Sequence, residues 1–370
     1  MRIGVPKEIK NRETRVALTP EGAARLAAAG HDVVVESGAG DAAFLPDAAY
    51  EAAGARIGDI SEAWGAELVL KVKEPVASEY PLLSDNVLFT FLHLAANEPL
   101  AHALVDAGTT AISYDTVQLD DGSLPLLTPM SAIAGRLATL AGGYHLLSSQ
   151  GGRGVLIAGA PGVAGARVVV IGGGVAGSNA LAQAVAMGAD AVVLDLDEAR
   201  LAALAAEHGD RLRTVVSTPE AVEREALEAD LVIGAVLVPG HRAPTVLSHD
   251  AVTRMRAGAV LVDIAIDQGG CFEDSRPTTH DDPVFAVGDA RMYCVANMPG
   301  AVGATATAAL THATAPYVEA LAAGVRSALD ADPALAHGLN VDAGTVRYPA
   351  VAQAFPDLPA AEGLDGPAER

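Results

Sequence analysis

Three glycines carry the first recognisable chemistry in this sequence. Gly172, Gly174 and Gly177 follow the β-branched run Val168–Ile171 and lead into an Ala-rich segment that begins at Val175, in VVVIGGGVAGSNALAQAVAMGADAVVLD. Spaced G-x-G-x-x-G between a strand and a helix, each has a physical task. Gly172 permits a tight turn, Gly174 lets backbone approach a pyrophosphate, and Gly177 lets helix and strand pack closely. The helix start then offers unpaired N–H groups and the positive end of its dipole to phosphates. Asp195 ends the next apolar strand, 18 residues beyond Gly177. A carboxylate there accepts hydrogen bonds from the adenine ribose hydroxyls. It also repels a 2′-phosphate, which favours NAD over NADP, although Arg200 nearby works against that preference.

A second set of residues has no glycine fingerprint but shares a position. Arg15 lies in the polar loop KNRETRVALTP after the first apolar strand, Lys73 ends LVLKVK just before Glu74-Pro75, and His93 ends VLFTFLH. Taken singly, each also fits a solvated loop, a strand end or a core histidine. All three, however, fall at or just past the carboxyl end of a predicted strand, the edge where open α/β sheets bind ligands. Two cations and a proton-transfer group on one edge suit a small anionic substrate. Asp267, in VLVDIAIDQGG, follows a strand of the fingerprint region in the same way. It could face the nicotinamide end of a dinucleotide and look toward His93. Asp263 lies inside that strand and reads as structural.

The elements that must position these residues alternate along the chain. Arg2–Val5, Asp32–Glu36, Leu68–Val72, Val87–Leu92 and Thr110–Ser113 read as strands. Helical stretches at Pro20–Ala29 and Pro99–Ala107 lie between them, each closed by glycine. This alternation predicts a parallel sheet covered on both faces. Met130–Leu147 reads as a long helix leading to the fingerprint. Beyond Asp195, strands are expected at Leu212–Val216, Asp230–Val236, Ala259–Ile264, Val284–Val287 and Met292–Val295. A helix over about Val302–Ala323 should return to the first domain. The expected fold is α/β, two Rossmann-like doubly wound parallel-sheet domains separated by a cleft. Residues 1–128 with 305–370 would form a discontinuous substrate domain, and 129–304 the NAD-binding domain. The tail from Pro356 has little to bury and is expected to fray.

Composition narrows the function classes. A chain of 370 residues, 51% hydrophobic with 38 glycines and 4% aromatics, suits two tightly packed α/β domains with Ala/Val/Leu/Ile cores. A formal net charge of −22 argues against a nucleic-acid partner. The N-terminus is charged from residue 2, so no signal peptide is expected. Apolar tracts never reach the ~18 clean residues a membrane span needs, so membrane insertion is not expected. The two cysteines, Cys271 and Cys294, form no CxxC and read as reduced core residues of a cytoplasmic protein. No HxxxH or HExxH occurs, so no metal is expected.

With these residues placed, the chain closely resembles the alanine dehydrogenases over essentially its whole length. The resemblance rests on MRIGVPKEIKNRETRVALTP, KVKEP, LFTFLHLA, LPLLTPMSAIAGR, GAVLVPG, VLVDIAIDQGGCFEDSRPTT and YCVANMPG. It departs at Gly173, where other residues are common, and in the C-terminal tail. The resemblance implies reversible oxidative deamination of L-alanine by NAD and water to pyruvate, ammonium and NADH. It also implies a homo-oligomer, commonly a hexamer. It gives Arg15 and Lys73 to the substrate's carboxylate and carbonyl region, His93 to acid/base catalysis, and Asp267 to the active site beside it. For NAD it points to Ser131, Val175, Ala176, Asp195, Arg200, Ser217, Val236, Leu237, Ile264, Asp267, Arg276, Val295, Asn297 and Met298, alongside the fingerprint glycines. Two other functions stay in view. One is the soluble NAD-binding subunit of a proton-translocating transhydrogenase, which needs a membrane partner and a second nucleotide domain. The other is a non-catalytic NAD-binding regulator, which has no use for Arg15, Lys73 and His93 on one edge.

Overall fold

In the computed structural model of the protein, residues 1–236 and 243–363 are described, apart from the side chain of Gln268. The chain forms two compact units, Met1–Met130 with Gly300–Arg370, and Ser131–Pro299. Each is built on one sheet.

The first unit's strands are β1 (Arg2–Val5), β2 (Asp32–Glu36), β3 (Arg56–Gly58), β4 (Leu68–Leu70), β5 (Val87–Thr90), β6 (Thr110–Ser113), β14 (Leu339–Asp342) and β15 (Thr345–Val346). They lie in the order β15-β14-β6-β5-β4-β1-β2-β3. From β3 to β6 every pairing is parallel, with Ile3 facing Val33 on one side and Leu68 on the other. The order reverses between β1 and β4. Ligands bind outside the carboxyl ends of strands at such a switch point.

The second unit holds β7 (Arg167–Ile171), β8 (Asp190–Asp195), β9 (Leu212–Val216), β10 (Leu231–Gly234), β11 (Val260–Asp263), β12 (Val284–Val287) and β13 (Ala290–Tyr293). Their order is β12-β13-β11-β10-β7-β8-β9. Val169 and Ile171 join the core on one face, and Val168 and Val170 the core on the other. Burial on both faces is why these strands read as unbroken apolar runs.

The doubly wound α/β expectation therefore holds for both units, with two corrections. Each sheet is mixed, because β12 pairs antiparallel with β13, and β14 antiparallel with both β6 and β15. The β14–β15 hairpin turns through Ala343 and Gly344, both at positive φ, 48° and 79°. A two-residue turn of this kind usually signals itself with Asn-Gly or Asp-Gly; here alanine holds the first position and hides it. The second correction concerns the tail. Leu358 is buried in the cluster that contains Leu88, Leu100 and Val351. Val346 N–H donates to the Pro359 carbonyl (2.8 Å), and Ala361 N–H to the Val346 carbonyl (3.0 Å). One apolar side chain and two strand-like hydrogen bonds outweigh the polar composition through residue 361.

Two helices matter for the site. Thr128–His145 packs on the fingerprint helix Val175–Ala186 so closely that a Cβ on Gly135 would stand 2.0 Å from the Ala176 carbonyl oxygen. The helix Gly303–Ala323 braces the loop after β1. Its Thr307 hydroxyl accepts from Val16 N–H (3.1 Å), and the Thr14 hydroxyl donates to the Gly300 carbonyl just before it.

Candidate active site

In the first unit the loop after β1 spans residues 6–19 and carries alternating charges. Its Arg15 is buried, held by Glu13 through Nε (2.7 Å to Oε1) and Nη2 (2.5 Å to Oε2). Nη1 donates to Met130 Sδ at 3.1 Å. A guanidinium caged in this way loses little further side-chain freedom when an anion arrives.

The end of β4 is organised around a buried lysine that sequence reasoning passed over. Lys71 is fully buried, 3.2 Å from Glu8 Oε2 and 2.9 Å from Glu79 Oε1, with its ammonium 5.6 Å from the Trp64 ring centre. Burial works against its charge, but Glu8 and Glu79 more than offset this and hold its pKa above the usual value. Burial raises the Glu8 carboxyl, with Lys71 opposing and Glu13 adding to the rise. The other Glu8 oxygen accepts from Val72 N–H (2.6 Å) and Lys73 N–H (3.3 Å). Glu8 thus clips the β1 loop to the end of β4 and fixes the backbone from which Lys73 projects.

Lys73 is buried too, and its ammonium lies 3.6 Å from Glu74 Oε2. Lys10 pairs with the other Glu74 oxygen. Burial raises the Glu74 carboxyl, but Lys73, Lys10 and the more distant His93 outweigh it and hold the group below the usual range. Glu74 is therefore an electrostatic neighbour of both Lys73 and His93.

His93 follows β5 in the left-handed region, at φ 47° and ψ 42°. That conformation is uncommon outside glycine. It is held by Asp115, just past β6, whose Oδ1 accepts from Leu92 N–H (3.1 Å) and His93 N–H (3.4 Å). The ring is about one-third exposed, stacks on Phe91 with centroids 5.9 Å apart, and turns Nδ1 toward Asp115 Oδ2 at 3.6 Å. Burial raises the Asp115 carboxyl, but the His93 charge, the Ser113 hydroxyl and the two N–H donors lower it overall. Arg15, Lys73 and His93 thus belong to the carboxyl ends of three adjoining strands, β1, β4 and β5. Glu8, Glu13, Lys71, Glu74 and Asp115 were not singled out from the sequence. Their signal was available, since all lie in loops or ends on that same strand edge.

In the second unit the fingerprint behaves as its spacing demands. Gly172 adopts φ 95°, and a Cβ on Gly177 would stand 1.7 Å from the Gly172 carbonyl oxygen. Gly174 caps the 12-residue helix Val175–Ala186 with no side-chain bond to it, and a Cβ there would meet nothing within 4 Å. A helix N-terminus without a side-chain cap, entered through open space, fits a phosphate group. Val175, Ala176 and Gly177 form its first turn. Asp195 ends β8 and accepts from Gly173 N–H (2.6 Å) and Asp197 N–H (2.9 Å), with Arg200 Nη1 3.3 Å away. Burial raises its carboxyl, and these donors together bring it below the usual range. The carboxylate is ionised and tied to the glycine loop.

Most of the remaining residues expected to bind the cofactor lie just past carboxyl strand ends. Ser217 follows β9, its N–H donating to the Asp195 carbonyl (2.8 Å). Val236 follows β10, Ile264 and the exposed Asp267 lie in the short 3-10 turn after β11, and Val295 follows β13. Asn297, at φ 65°, and the buried Met298 come next. Ser131 stands in the first turn of Thr128–His145. Arg276 is placed differently, with its guanidinium 4.2 Å above the Phe285 ring of the edge strand β12. Leu237 lies outside the described residues. Asp263 is fully buried and accepts from Ala265 N–H, Cys271 N–H and the Ser275 hydroxyl at 2.9, 2.8 and 2.5 Å, so its role is structural. Both cysteines are buried and free. Among the described residues, no helix is long and apolar enough to cross a membrane.

The sequence comparisons agree with the resemblance read above. Residues 4–134 match the family profile described as "Alanine dehydrogenase/PNT, N-terminal domain", and 138–349 its C-terminal counterpart. Alanine dehydrogenase of Halomonas elongata is 54% identical over 359 residues, 96% of this chain and 97% of its own. A solved L-alanine dehydrogenase superposes with a TM-score of 0.93 at 50% identity, covering 96% of this chain and 99% of its own. A transhydrogenase structure from Sinorhizobium meliloti matches less well, at 0.79 and 27%, covering 95% and 100%.

Proposed function

The chain belongs to the alanine dehydrogenase/PNT family, and on that premise we propose how its residues carry out L-alanine dehydrogenase chemistry. The reaction is reversible oxidative deamination of L-alanine to pyruvate and ammonium, with NAD as the cofactor. The observation that supports the assignment of roles is that Arg15, Lys73 and His93 all follow the carboxyl ends of adjoining strands. Neither a transhydrogenase subunit nor a regulator accounts for that placement as directly as a free-standing dehydrogenase.

Arg15 binds the substrate carboxylate. Glu13 holds the guanidinium through Nε and Nη2. Lys73 polarises the carbonyl oxygen of pyruvate in the aminating direction. The unprotonated His93 imidazole takes a proton from the substrate amine. Having released that proton to solvent, the neutral imidazole takes one from the water that adds to the iminium carbon and passes it to the departing amine, with the same transfers reversed in amination. Asp267 stabilises the positive nitrogen as it develops.

When bound, NAD would supply the hydride acceptor for the substrate Cα. Gly172, Gly174, Gly177 and the helix start at Val175 and Ala176 would hold its pyrophosphate, and Asp195 the adenine ribose. Ser131, Arg200, Ser217, Val236, Leu237, Ile264, Arg276, Val295, Asn297 and Met298 complete the proposed cofactor set. A cytoplasmic homo-hexamer belongs to the same reading, and light scattering should then give a mass near six times 37.4 kDa.

The direct test follows NADH absorbance with L-alanine and NAD, then with pyruvate, ammonium and NADH. Turnover is expected both ways. NADH binding with no turnover on any amino acid would instead favour the regulator. His93→Ala should lower kcat by roughly 10²–10⁴-fold, the usual worth of a general acid/base, while NADH binding persists.

A further inference from the structure

We propose that Asp115 is the positioning residue for His93, holding the imidazole with its proton on Nδ1 so that Nε2 faces the substrate. This rests on the reading of His93 as the acid/base group. It adds a buried carboxylate behind it and the tautomer it acts in.

The two oxygens of Asp115 are divided between two tasks. Oδ1 accepts from Leu92 N–H, His93 N–H and the Ser113 hydroxyl. Successive backbone N–H groups converging on one oxygen make an anion-holding turn, and this turn places His93 at positive φ. The Ser113 hydroxyl also accepts from Leu92 N–H at 3.1 Å, which closes the ring of bonds. Oδ2 faces His93 Nδ1 at 3.6 Å. That is longer than a full hydrogen bond, as catalytic contacts often are before substrate binds.

Phe91 lies parallel to the imidazole, within 5°. It is itself fixed by an edge-on contact with Tyr114 at 5.0 Å. The ring plane, the backbone and Nδ1 are therefore all set from one side. An ionised acceptor opposite Nδ1 favours the proton there, leaving Nε2 as the basic nitrogen.

Glu74 and Tyr348 also bear on the pair. Glu74 bears on His93 and is balanced by Lys73 and Lys10. The Tyr348 hydroxyl senses Asp115, and burial and that charge both raise its pKa. Asp115 is the carboxylate that faces the imidazole Nδ1.

Asp115→Asn keeps the shape of the side chain but removes its charge. We expect kcat/KM for L-alanine to fall at least about tenfold, with its acid limb displaced by about one pH unit toward lower pH. NADH affinity should not change. The ¹⁵N spectrum of the wild-type imidazole, assigned by its loss in His93→Gln, should show the Nδ1–H tautomer.

An Nε2–H tautomer in the wild type overturns the proposal, whether or not any variant folds. So does an acid limb in Asp115→Asn that superimposes on the wild type. Ser113→Ala, which loosens Oδ1 but keeps the charge, should lower kcat while leaving the limb in place. A fully active His93→Ala enzyme would overturn the acid/base reading itself, a separate outcome.

Discussion

The first five strands of each unit run in the same order, 3-2-1-4-5, and the two units equip the carboxyl ends differently. In the second unit the chain passes from β7 into a helix through three glycines, and backbone does the work. The carboxylate at its centre, Asp195, is itself held by the glycine loop. In the first unit a long charged loop follows β1. There the end of the sheet is filled by cations, each already paired to a carboxylate: Arg15 to Glu13, Lys71 to Glu8 and Glu79, Lys73 to Glu74. The contrast follows from what each end must recognise. A pyrophosphate is large and can be wrapped by N–H groups. A three-carbon acid offers few atoms, so the charges that meet it must be held in place beforehand.

The amino ends of the second sheet make a further contrast, because they carry ion pairs of another kind. Glu225, nearly buried, accepts from Arg213 and from Arg167 Nη2 (2.7 Å), joining β7, β9 and the helix Pro219–Leu227. Its pKa is held at about 2, chiefly by the hydrogen bond from Arg213. Such pairs serve stability and lie far along the strands from the glycine loop.

The comparison can be broken at three places. Arg15→Ala should have the largest effect, raising KM for pyruvate roughly a hundredfold, in line with the 2–5 kcal/mol cost of removing one partner of a buried charged pair. Arg15→Lys should recover only part of it, since a single ammonium cannot replace the fork. An unchanged KM would remove Arg15 from the substrate site. Glu225→Gln should lower unfolding free energy by on the order of 2 kcal/mol. Because the folded pKa is depressed, this stability is present above the unfolded value near 4.5 and lost as pH falls toward about 2. The variant's stability should therefore vary less than the wild type's across that window, and NADH binding should be unaltered. The smallest effect is expected for Asp195→Ala, about a tenfold relaxation of NAD preference over NADP. A wild type that already prefers NADP would contradict the ribose argument.

The core elements were legible because a parallel strand buried on both faces must be an unbroken apolar run, as Val168–Ile171 and Val87–Thr90 are. The glycine fingerprint was legible because its spacing answers a local steric need, seen in Gly177 against Gly172. Arg15, Lys73 and His93 were found by their place at strand ends rather than by any motif. By itself the sequence determined those periodicities, turns and edges, because they depend on near neighbours in the chain. Only the tertiary structure decided which charges meet. Glu8 reaches the end of β4, Asp115 reaches His93, and the β14–β15 hairpin and Leu358 complete the first unit. These partners lie far apart in sequence, and burial makes each ion pair depend on the fold that excludes water from it.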